Sequence, residues 1–336
     1  MTGGDAILVI GPSWVGDMVM AQVMLRILYQ DRHEVAIDVL APPWSLPLLA
    51  RMPEVRRAIP LPIGHGEFGL ATRWHLGRGL RGEYGQAIVL PNSLKSALIP
   101  WFAAIPRRTG FVGEMRFGLL NDARQLDKKR WPRTVDRFSV LARPRSASLP
   151  DPLPQPRLHA DPEAGRAILA RFSPTLTPSP LLALCPGAEY GPAKRWPAVY
   201  FTTLARDMTM EGWRVVVLGS VKESALGEEI LAEGVPGALD LTGKIALEEA
   251  VDVLALADAV VTNDSGLMHV AAALDRPGVA IFGSSDPAHT PPLGGRLHIL
   301  SLGLPCAPCF KRECPLGHLD CLRKITPEMV KNALNR

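Results

Sequence analysis

No run of this 336-residue sequence reaches the roughly 18 consecutive apolar residues that a helix needs to cross a bilayer. The N-terminus lacks the apolar stretch of a secretory signal, because Asp5 interrupts it and the run Ala6 to Ile10 stops at Gly11-Pro12. Cysteine is scarce: of five in all, one is isolated and four are clustered. That usage fits a reduced cytoplasmic protein better than a secreted disulfide scaffold. Glycine and proline, at 30 and 32 residues, stay below the roughly 25–30% that marks low-complexity disorder. The remainder is ordinary globular composition, 47% hydrophobic and 21% charged. Its length exceeds the roughly 250–300 residues at which one core stops growing, so two domains are expected.

The net charge of +4 conceals an asymmetry. Residues 1–150 carry 20 Lys and Arg against 12 Asp and Glu, whereas residues 151–336 carry 17 against 21. The N-terminal half should therefore prefer an anionic partner: nucleic acid, an acidic lipid surface or a phosphorylated acceptor.

Along the chain, short apolar runs alternate with segments long enough for helices. The first half has strand-like runs at Ile7–Ile10, Val35–Leu40, Ala58–Leu61 and Ala87–Leu90, with helices expected over Met18–Tyr29, Trp44–Arg51, Ala71–Leu80 and Lys95–Ala103. After Phe111 the pattern loosens into a basic tract with Arg116, Lys128, Lys129 and Arg130. A helix over Thr134–Ala142 would follow, with Arg133 and Arg137, four apart, on one face. This tract is either a solvated surface or a face for an anion.

Six prolines between 144 and 162 predict a stiff interdomain linker. A second alternation follows, with strands at Leu181–Leu184, Arg214–Leu218, Ala259–Thr262, Val279–Phe282 and Leu297–Leu300. Its helices are expected over Ala198–Glu211, Ser224–Glu233, Leu247–Leu256 and Leu267–Leu274, and a last one starts at Thr326-Pro327-Glu328. Such alternation argues parallel, doubly wound sheets, which bind ligands at the carboxyl ends of their strands.

The most informative stretch runs from Ala259 to His269. A strand stops at Asn263-Asp264-Ser265 and an apolar helix begins after Gly266, the usual construction of an anion site at a helix N-terminus. Asp264 and Ser265 could equally be plain helix caps. His269 falls in the first turn, where a neutral imidazole could donate to a phosphate; a buried structural histidine is the other reading.

A second loop, Cys185 to Pro197, follows the first strand of the second half. Gly187 and Ala188 would let backbone approach a ligand, and Lys194 would supply positive charge to a phosphate. Gly283 to Pro287 could complete the pocket wall. The early segment Gly11 to Gly16 has the glycine spacing of a triphosphate-binding loop, but Asp17 and Met18 replace its Lys and Ser/Thr, and a carboxylate there would repel a triphosphate. Asp17 is then an N-cap or a general base.

Gly77-Arg78-Gly79-Leu80-Arg81-Gly82 matches a dinucleotide fingerprint in letters only, since it precedes a strand instead of following one. Cys306, Cys309, Cys314 and Cys321, with His318 among them, open with zinc-like spacing. The later gaps are short and irregular, so reduced packing cysteines or partial disulfides are favoured over structural zinc.

In Asp264-Ser265-Gly266-Leu267-Met268-His269, in Pro186 to Pro197 and in Gly16-Asp17, the sequence resembles the ADP-heptose:lipopolysaccharide heptosyltransferases over essentially its whole length. The segment Cys309 to His318 resembles the C-terminal region of the member that adds the second heptose. The resemblance implies an α/β, GT-B fold of two Rossmann-like domains facing a cleft. Residues 1–150 would bind the lipid A-linked acceptor, 151–325 the nucleotide sugar, and 326–336 would form a C-terminal helix. It further implies inverting transfer of heptose from ADP-heptose to O3 of the first heptose of heptosyl-Kdo2-lipid A.

In that scheme Asp17 is the base. Lys194, the helix end at Gly266 and His269 stabilise the leaving diphosphate in place of a metal, so no cofactor is required. Asp264 orients sugar hydroxyls or backbone amides beside Ser265, Gly187 and Ala188; Glu223 contacts the ribose; and Arg133 and Arg137 belong to the acceptor side. The enzyme would lie in the cytoplasm in peripheral contact with the inner membrane, with no nucleic-acid partner. Heptosyltransferases I and III are the family alternatives, and a zinc-dependent nucleic-acid-binding protein is the alternative of another class.

Overall fold

Four or five consecutive residues that are apolar on both faces can be buried only in a parallel sheet covered by helices on each side. The central strands have that composition, and the structure, a computed structural model, places them so. It describes residues 6–33, 35–64, 66–173, 179–232, 234–294 and 296–334. Residues 1–5 and 335–336, at the ends of the expected domains, and residue 233, the expected end of one helix, lie outside the described residues.

The chain divides into two units, residues 1–156 and 157–336. The first contains β1 (Ile7–Ile10), β2 (Ile37–Ala41), β3 (Arg57–Pro60), β4 (Gln86–Val89), β5 (Arg107–Phe111) and β6 (Asp122–Arg124), in the order β3-β2-β1-β4-β5-β6. The second contains β7 (Leu181–Cys185), β8 (Arg214–Val217), β9 (Leu239–Asp240), β10 (Ala259–Asn263), β11 (Gly278–Ile281) and β12 (Leu297–Leu300), in the order β12-β11-β10-β7-β8-β9. Every strand pair is parallel. Counted from its first strand, each sheet is wound 3-2-1-4-5-6, the Rossmann order. The order reverses between β1 and β4 in one unit and between β7 and β10 in the other.

Register keeps the apolar centres together: Val9 lies between Val39 and Ile88, and Val261 between Leu184 and Val279. In the second unit Trp196 packs edge-on against Phe201, ring centroids 4.8 Å apart. The C-terminal helix Pro327–Leu334 adds Val330 and Ala333 to this same core. In the first unit the helix Val15–Asp31 is buried along most of its length and packs beside the helix Thr134–Ser139. An ion pair of 2.9 Å joins Asp31, the last residue of the first helix, to Arg143, four residues beyond the second.

β5, β6 and β9 are absent from the sequence reading for a physical reason. β5 begins with Arg107-Arg108, and β6 and β9 are only three and two residues long. None carries an apolar run: β6 and β9 are edge strands, which are partly exposed, and β5, paired on both sides, is apolar only at Phe111.

The proline-rich tract also differs from a free rod. The Arg26 guanidinium donates to the Gln155 carbonyl in the first unit. In the second, the Leu158 amide donates to the Ala273 carbonyl at 3.2 Å and the Asp161 amide to Asp252 at 2.7 Å. Pro162, read as its last proline, instead opens the helix Pro162–Phe172, capped by the Asp161 carboxylate on the amides of Glu163 and Ala164. Proline at the first helical position is a start signal, since its missing N–H would have had no partner there.

Gly278 opens β11 with φ of +153°, and a Cβ there would lie 1.9 Å from the Val260 carbonyl oxygen. Gly278→Ala is therefore expected to destabilise the second unit by about 1–3 kcal/mol or more. A lowered urea midpoint, followed by tryptophan fluorescence, checks this; an unchanged midpoint contradicts it.

Candidate functional site

The topological switch between β7 and β10 gathers most of the sequence-predicted residues of the second unit. β10 ends at Asn263, and the helix Gly266–Ala273 starts three residues later with Ser265 as its N-cap residue. The Ser265 side chain makes no cap hydrogen bond; its Oγ lies 3.5 Å from Thr262 Oγ1. Asp264 does not bond the helix amides either. Its Oδ2 accepts from Lys194 Nζ at 2.5 Å and from Ser285 Oγ at 2.5 Å. Asp264 is thus a buried anchor for a lysine and not a helix cap.

The carboxylate turns to a cation and a hydroxyl and not to backbone amides. The first-turn amides of the helix are left for another acceptor.

Lys194 sits in the short 3-10 turn Pro192–Lys194, with its side chain 18% exposed. One of its three ammonium hydrogens goes to Asp264, which leaves two for an anion. The Tyr190 ring lies 5.1 Å from Lys194 Nζ and 5.5 Å from the Arg312 guanidinium, so it stacks two cations against one aromatic face system.

His269 is 4% exposed, and burial pulls its pKa down to about 4, against a smaller upward effect of Asp264 and a further downward one of Lys194. The imidazole is therefore neutral at neutral pH. At a helix N-terminus a neutral ring can donate to phosphate without placing a second positive charge against the dipole.

Gly187 and Glu223 face each other at the ends of β7 and β8. A Cβ on Gly187 would lie 2.0 Å from Glu223 Oε1, so the carboxylate rests directly on the glycine. Glu223 Oε2 accepts from the Ser220 amide at 2.6 Å and from Ser220 Oγ at 2.9 Å, which closes a capping box. Ala188 is buried, and its carbonyl accepts from Arg195 Nε at 3.3 Å.

In the first unit, the expectation that Asp17 might be an N-cap does not hold. The helix begins at Val15 with Trp14 before it, so Asp17 lies inside the first turn and is half-buried. Its carboxylate thus stands beside the positive helix end just after β1, at the other switch point.

Arg133 and Arg137 are engaged with the protein itself. Arg133 forms a two-pronged ion pair with buried Asp136, at 2.9 and 2.7 Å. Arg137 donates to the carbonyls of Trp131 and Pro132, each at 2.9 Å.

Arg116 leaves the basic tract altogether. It is 1% exposed and donates to the carbonyls of Phe111, Pro91 and Ser93, to Ser96 Oγ and to Asn92 Oδ1. Burial pulls its pKa down to about 10, with Glu114 opposing. It holds in place the loop that leaves β4.

Sequence reasoning assigned no role to Asn263, which is fully buried. Its Oδ1 accepts from the Trp196 amide at 3.0 Å and its Nδ2 donates to the Pro186 carbonyl at 2.6 Å, so one carboxamide fastens both ends of the Lys194 loop. An amide side chain ending an otherwise apolar buried strand was the available signal, because such a group needs partners.

All five cysteines are free thiols. Partial disulfides are therefore absent among the described residues, and no group of three or more His, Cys, Asp and Glu is already set to hold a metal ion.

The two sheets and the switch-point sites can be compared with solved structures. The structure of Escherichia coli ADP-heptose LPS heptosyltransferase II superposes with a TM-score of 0.88 at 45% identity, covering 98% of this chain and 97% of that one. Escherichia coli heptosyltransferase WaaC with ADP shares the fold, with a TM-score of 0.72 at 21% identity over 98% and 99% of the two chains. These similarities define a glycosyltransferase with two Rossmann-like domains of the GT-B type.

Lipopolysaccharide heptosyltransferase 2 of Salmonella typhimurium is 48% identical over 339 aligned residues, 98% of this chain and 97% of the relative. Residues 73–320 match glycosyltransferase family 9 (heptosyltransferase), and the chain belongs to that family. Membership favours the enzyme over the alternative of another class.

Because the folded pKa of His269 lies below its unfolded value of about 6.5, the unfolded chain binds the extra proton between these values. This histidine's contribution to stability is therefore complete above about pH 6.5 and lost as pH falls toward about 4. His269→Gln should flatten the stability-versus-pH curve in that window, measured by urea unfolding at a series of pH values. A curve as steep as that of the unsubstituted protein would contradict the assignment.

Proposed function

We propose that the chain transfers L-glycero-D-manno-heptose from ADP-heptose to the first heptose of the lipopolysaccharide inner core, on heptosyl-Kdo2-lipid A, with inversion. The observation that carries the donor half of this reading is the Lys194–Asp264–Ser285 cluster beside the amides of the helix Gly266–Ala273. It offers a fixed cation, free N–H donors and a neutral histidine at one point, which is the chemistry a diphosphate requires. The choice of heptose as the sugar, and of the second addition as the step, rests on relatives 45–48% identical over nearly the full length.

In this mechanism Asp17 removes the proton from the acceptor hydroxyl as its oxygen attacks the donor anomeric carbon. The C–O bond to ADP breaks on the opposite face, so configuration inverts in one step. Negative charge grows on the diphosphate, where Lys194, the Gly266 amide and the His269 ring receive it. Ser265, Gly187 and Ala188 line the donor pocket with backbone and small side chains, and Glu223 reaches the ribose hydroxyls. Asp264 acts through Lys194.

The acceptor carries phosphates and acidic sugars, and the excess of Lys and Arg in residues 1–150 suits it. Arg133 and Arg137 belong to that surface in this reading, although each already has protein partners.

The same reading places the enzyme on the cytoplasmic face of the inner membrane as a peripheral protein. No described helix is long and apolar enough to cross a membrane. Exposed Trp74 and Trp101 in the first unit suit a lipid–water boundary. Nucleic acid has no part in the function proposed, and none of these steps calls for a cofactor.

Turnover of ADP-heptose with heptosyl-Kdo2-lipid A tests the whole scheme, and efficient use of a non-heptose sugar nucleotide would overturn the donor assignment. Asp17→Asn should lower kcat by roughly 10²–10⁴ while ADP-heptose binding, measured by calorimetry, stays intact; unchanged turnover would remove Asp17 as the base. Lys194→Ala should weaken ADP binding by about tenfold or more, the loss of a charge-assisted hydrogen bond of roughly 1.5–3 kcal/mol. Unaltered affinity would contradict its phosphate role.

A further inference from the structure

Cys306, Cys309, Cys314, Cys321 and His318 come from a stretch with no regular structure except the short helix Asp320–Arg323, yet all of them line a single cavity. Its volume is about 20 Å³. A cavity needs on the order of 10–15 Å³ to admit one water-sized guest, so there is room for one atom-sized occupant.

Ser284, 1% exposed, also lines the cavity, and its Oγ has no hydrogen-bond partner. Buried hydroxyls without partners are rare, and one facing a confined space points to a missing guest or its hydration. The Gly317 amide donates to the Cys314 carbonyl at 3.1 Å, so the chain turns back on itself between Cys314 and His318, which both face the cavity.

The same loop braces the Lys194 segment. The Ala193 amide donates to the Arg312 carbonyl at 3.0 Å, Tyr190 Oη to the Phe310 carbonyl at 2.8 Å, and the Phe310 amide to the Ser284 carbonyl at 2.7 Å. Ala193, next to Lys194, is itself part of the cavity wall. A Cβ on Gly191 would meet the Arg312 carbonyl oxygen at 2.6 Å, so the two loops are in backbone contact.

We propose that the four thiols bind one thiophilic divalent cation of the zinc type, and that this ion stiffens the loop supporting Lys194. The second clause rests on the donor-site reading above; the first does not. Each thiol gives up its proton to solvent as its metal–sulfur bond forms, and no electron is transferred. Since no three of these groups already stand in ligand geometry among the described residues, binding requires thiol side chains to turn into the cavity about their Cα–Cβ bonds.

Titration of the reduced, chelator-treated full-length protein with cobalt(II) tests the site. One equivalent per chain should bind with a thiolate-to-cobalt charge-transfer band and tetrahedral d–d bands, and zinc should displace it. Cys309→Ser and Cys314→Ser should each weaken binding by roughly tenfold or more, whereas Cys185→Ala, which alters the one cysteine outside the cluster, should leave it unchanged. Circular dichroism identifies any variant that fails to fold, and the titration of the unsubstituted protein stands without them. Absence of the charge-transfer band, binding unaffected by both serine variants, or disulfides among the four cysteines in the purified protein would overturn the site. ADP affinity measured with and without bound zinc tests the link to Lys194: a several-fold loss without zinc supports it, and equal affinities overturn the link alone.

Discussion

The carboxylate of Asp264 is the constraint on which the Lys194 loop depends. It is 5% exposed, and its Oδ2 is shared between the Lys194 ammonium and the Ser285 hydroxyl. A buried ion pair of this kind contributes little net stability, because desolvation offsets most of the Coulomb attraction. Its value is positional. A lysine on a flexible four-carbon stem would otherwise sample many rotamers, and here it is held beside a helix N-terminus before any ligand arrives. Without the lysine, Asp264 would be a buried negative charge with no cation to offset it.

Around that pair the backbone is fastened by groups that touch no substrate in the proposed mechanism. Asn263 fastens the Lys194 loop at Pro186 and Trp196, and the Trp196 indole donates to the Ile325 carbonyl at 2.7 Å, which connects the loop to the chain just before the last helix. The Cys306–Cys321 stretch supports the loop from its other side. In the first unit Arg116 does comparable work, with a guanidinium bonded to three backbone carbonyls, a serine hydroxyl and an asparagine side chain. Lysine could not replace it, since a single ammonium cannot reach acceptors spread around a planar fork.

The fold was legible wherever a strand was apolar on both faces. Ile7–Ile10 has the bounds read from sequence, as does the edge strand Leu297–Leu300, and most other strands that were read shift by a residue or two. What escaped were strands that tertiary context alone makes into strands, such as Asp122–Arg124, whose Asp122 binds Arg124, Arg107 and Arg145 instead of packing in a core. Within the site, residue type revealed Lys194, Asp264 and His269 as a group, but composition cannot say which way a carboxylate turns. Asp264 meeting Lys194 joins residues 70 positions apart. For the same reason the arginines of the basic tract, alike in sequence, separate in structure into one buried clamp and others with helix-local partners.

The sheet order has a consequence for how the protein is made. β7 hydrogen-bonds to β8 on one side and to β10 on the other. β7 ends at residue 185 and β10 at residue 263, so the central strand of the second sheet leaves the ribosome 78 residues before its second neighbour is complete. At about 5–20 residues per second this is an interval of about 4–16 s. During it Leu181 to Cys185, apolar throughout, presents an unpaired edge to everything else in the cell. The nascent chain is thus at its most adhesive while the Lys194 loop is already synthesised but Asn263 and Asp264, which fasten it, are not.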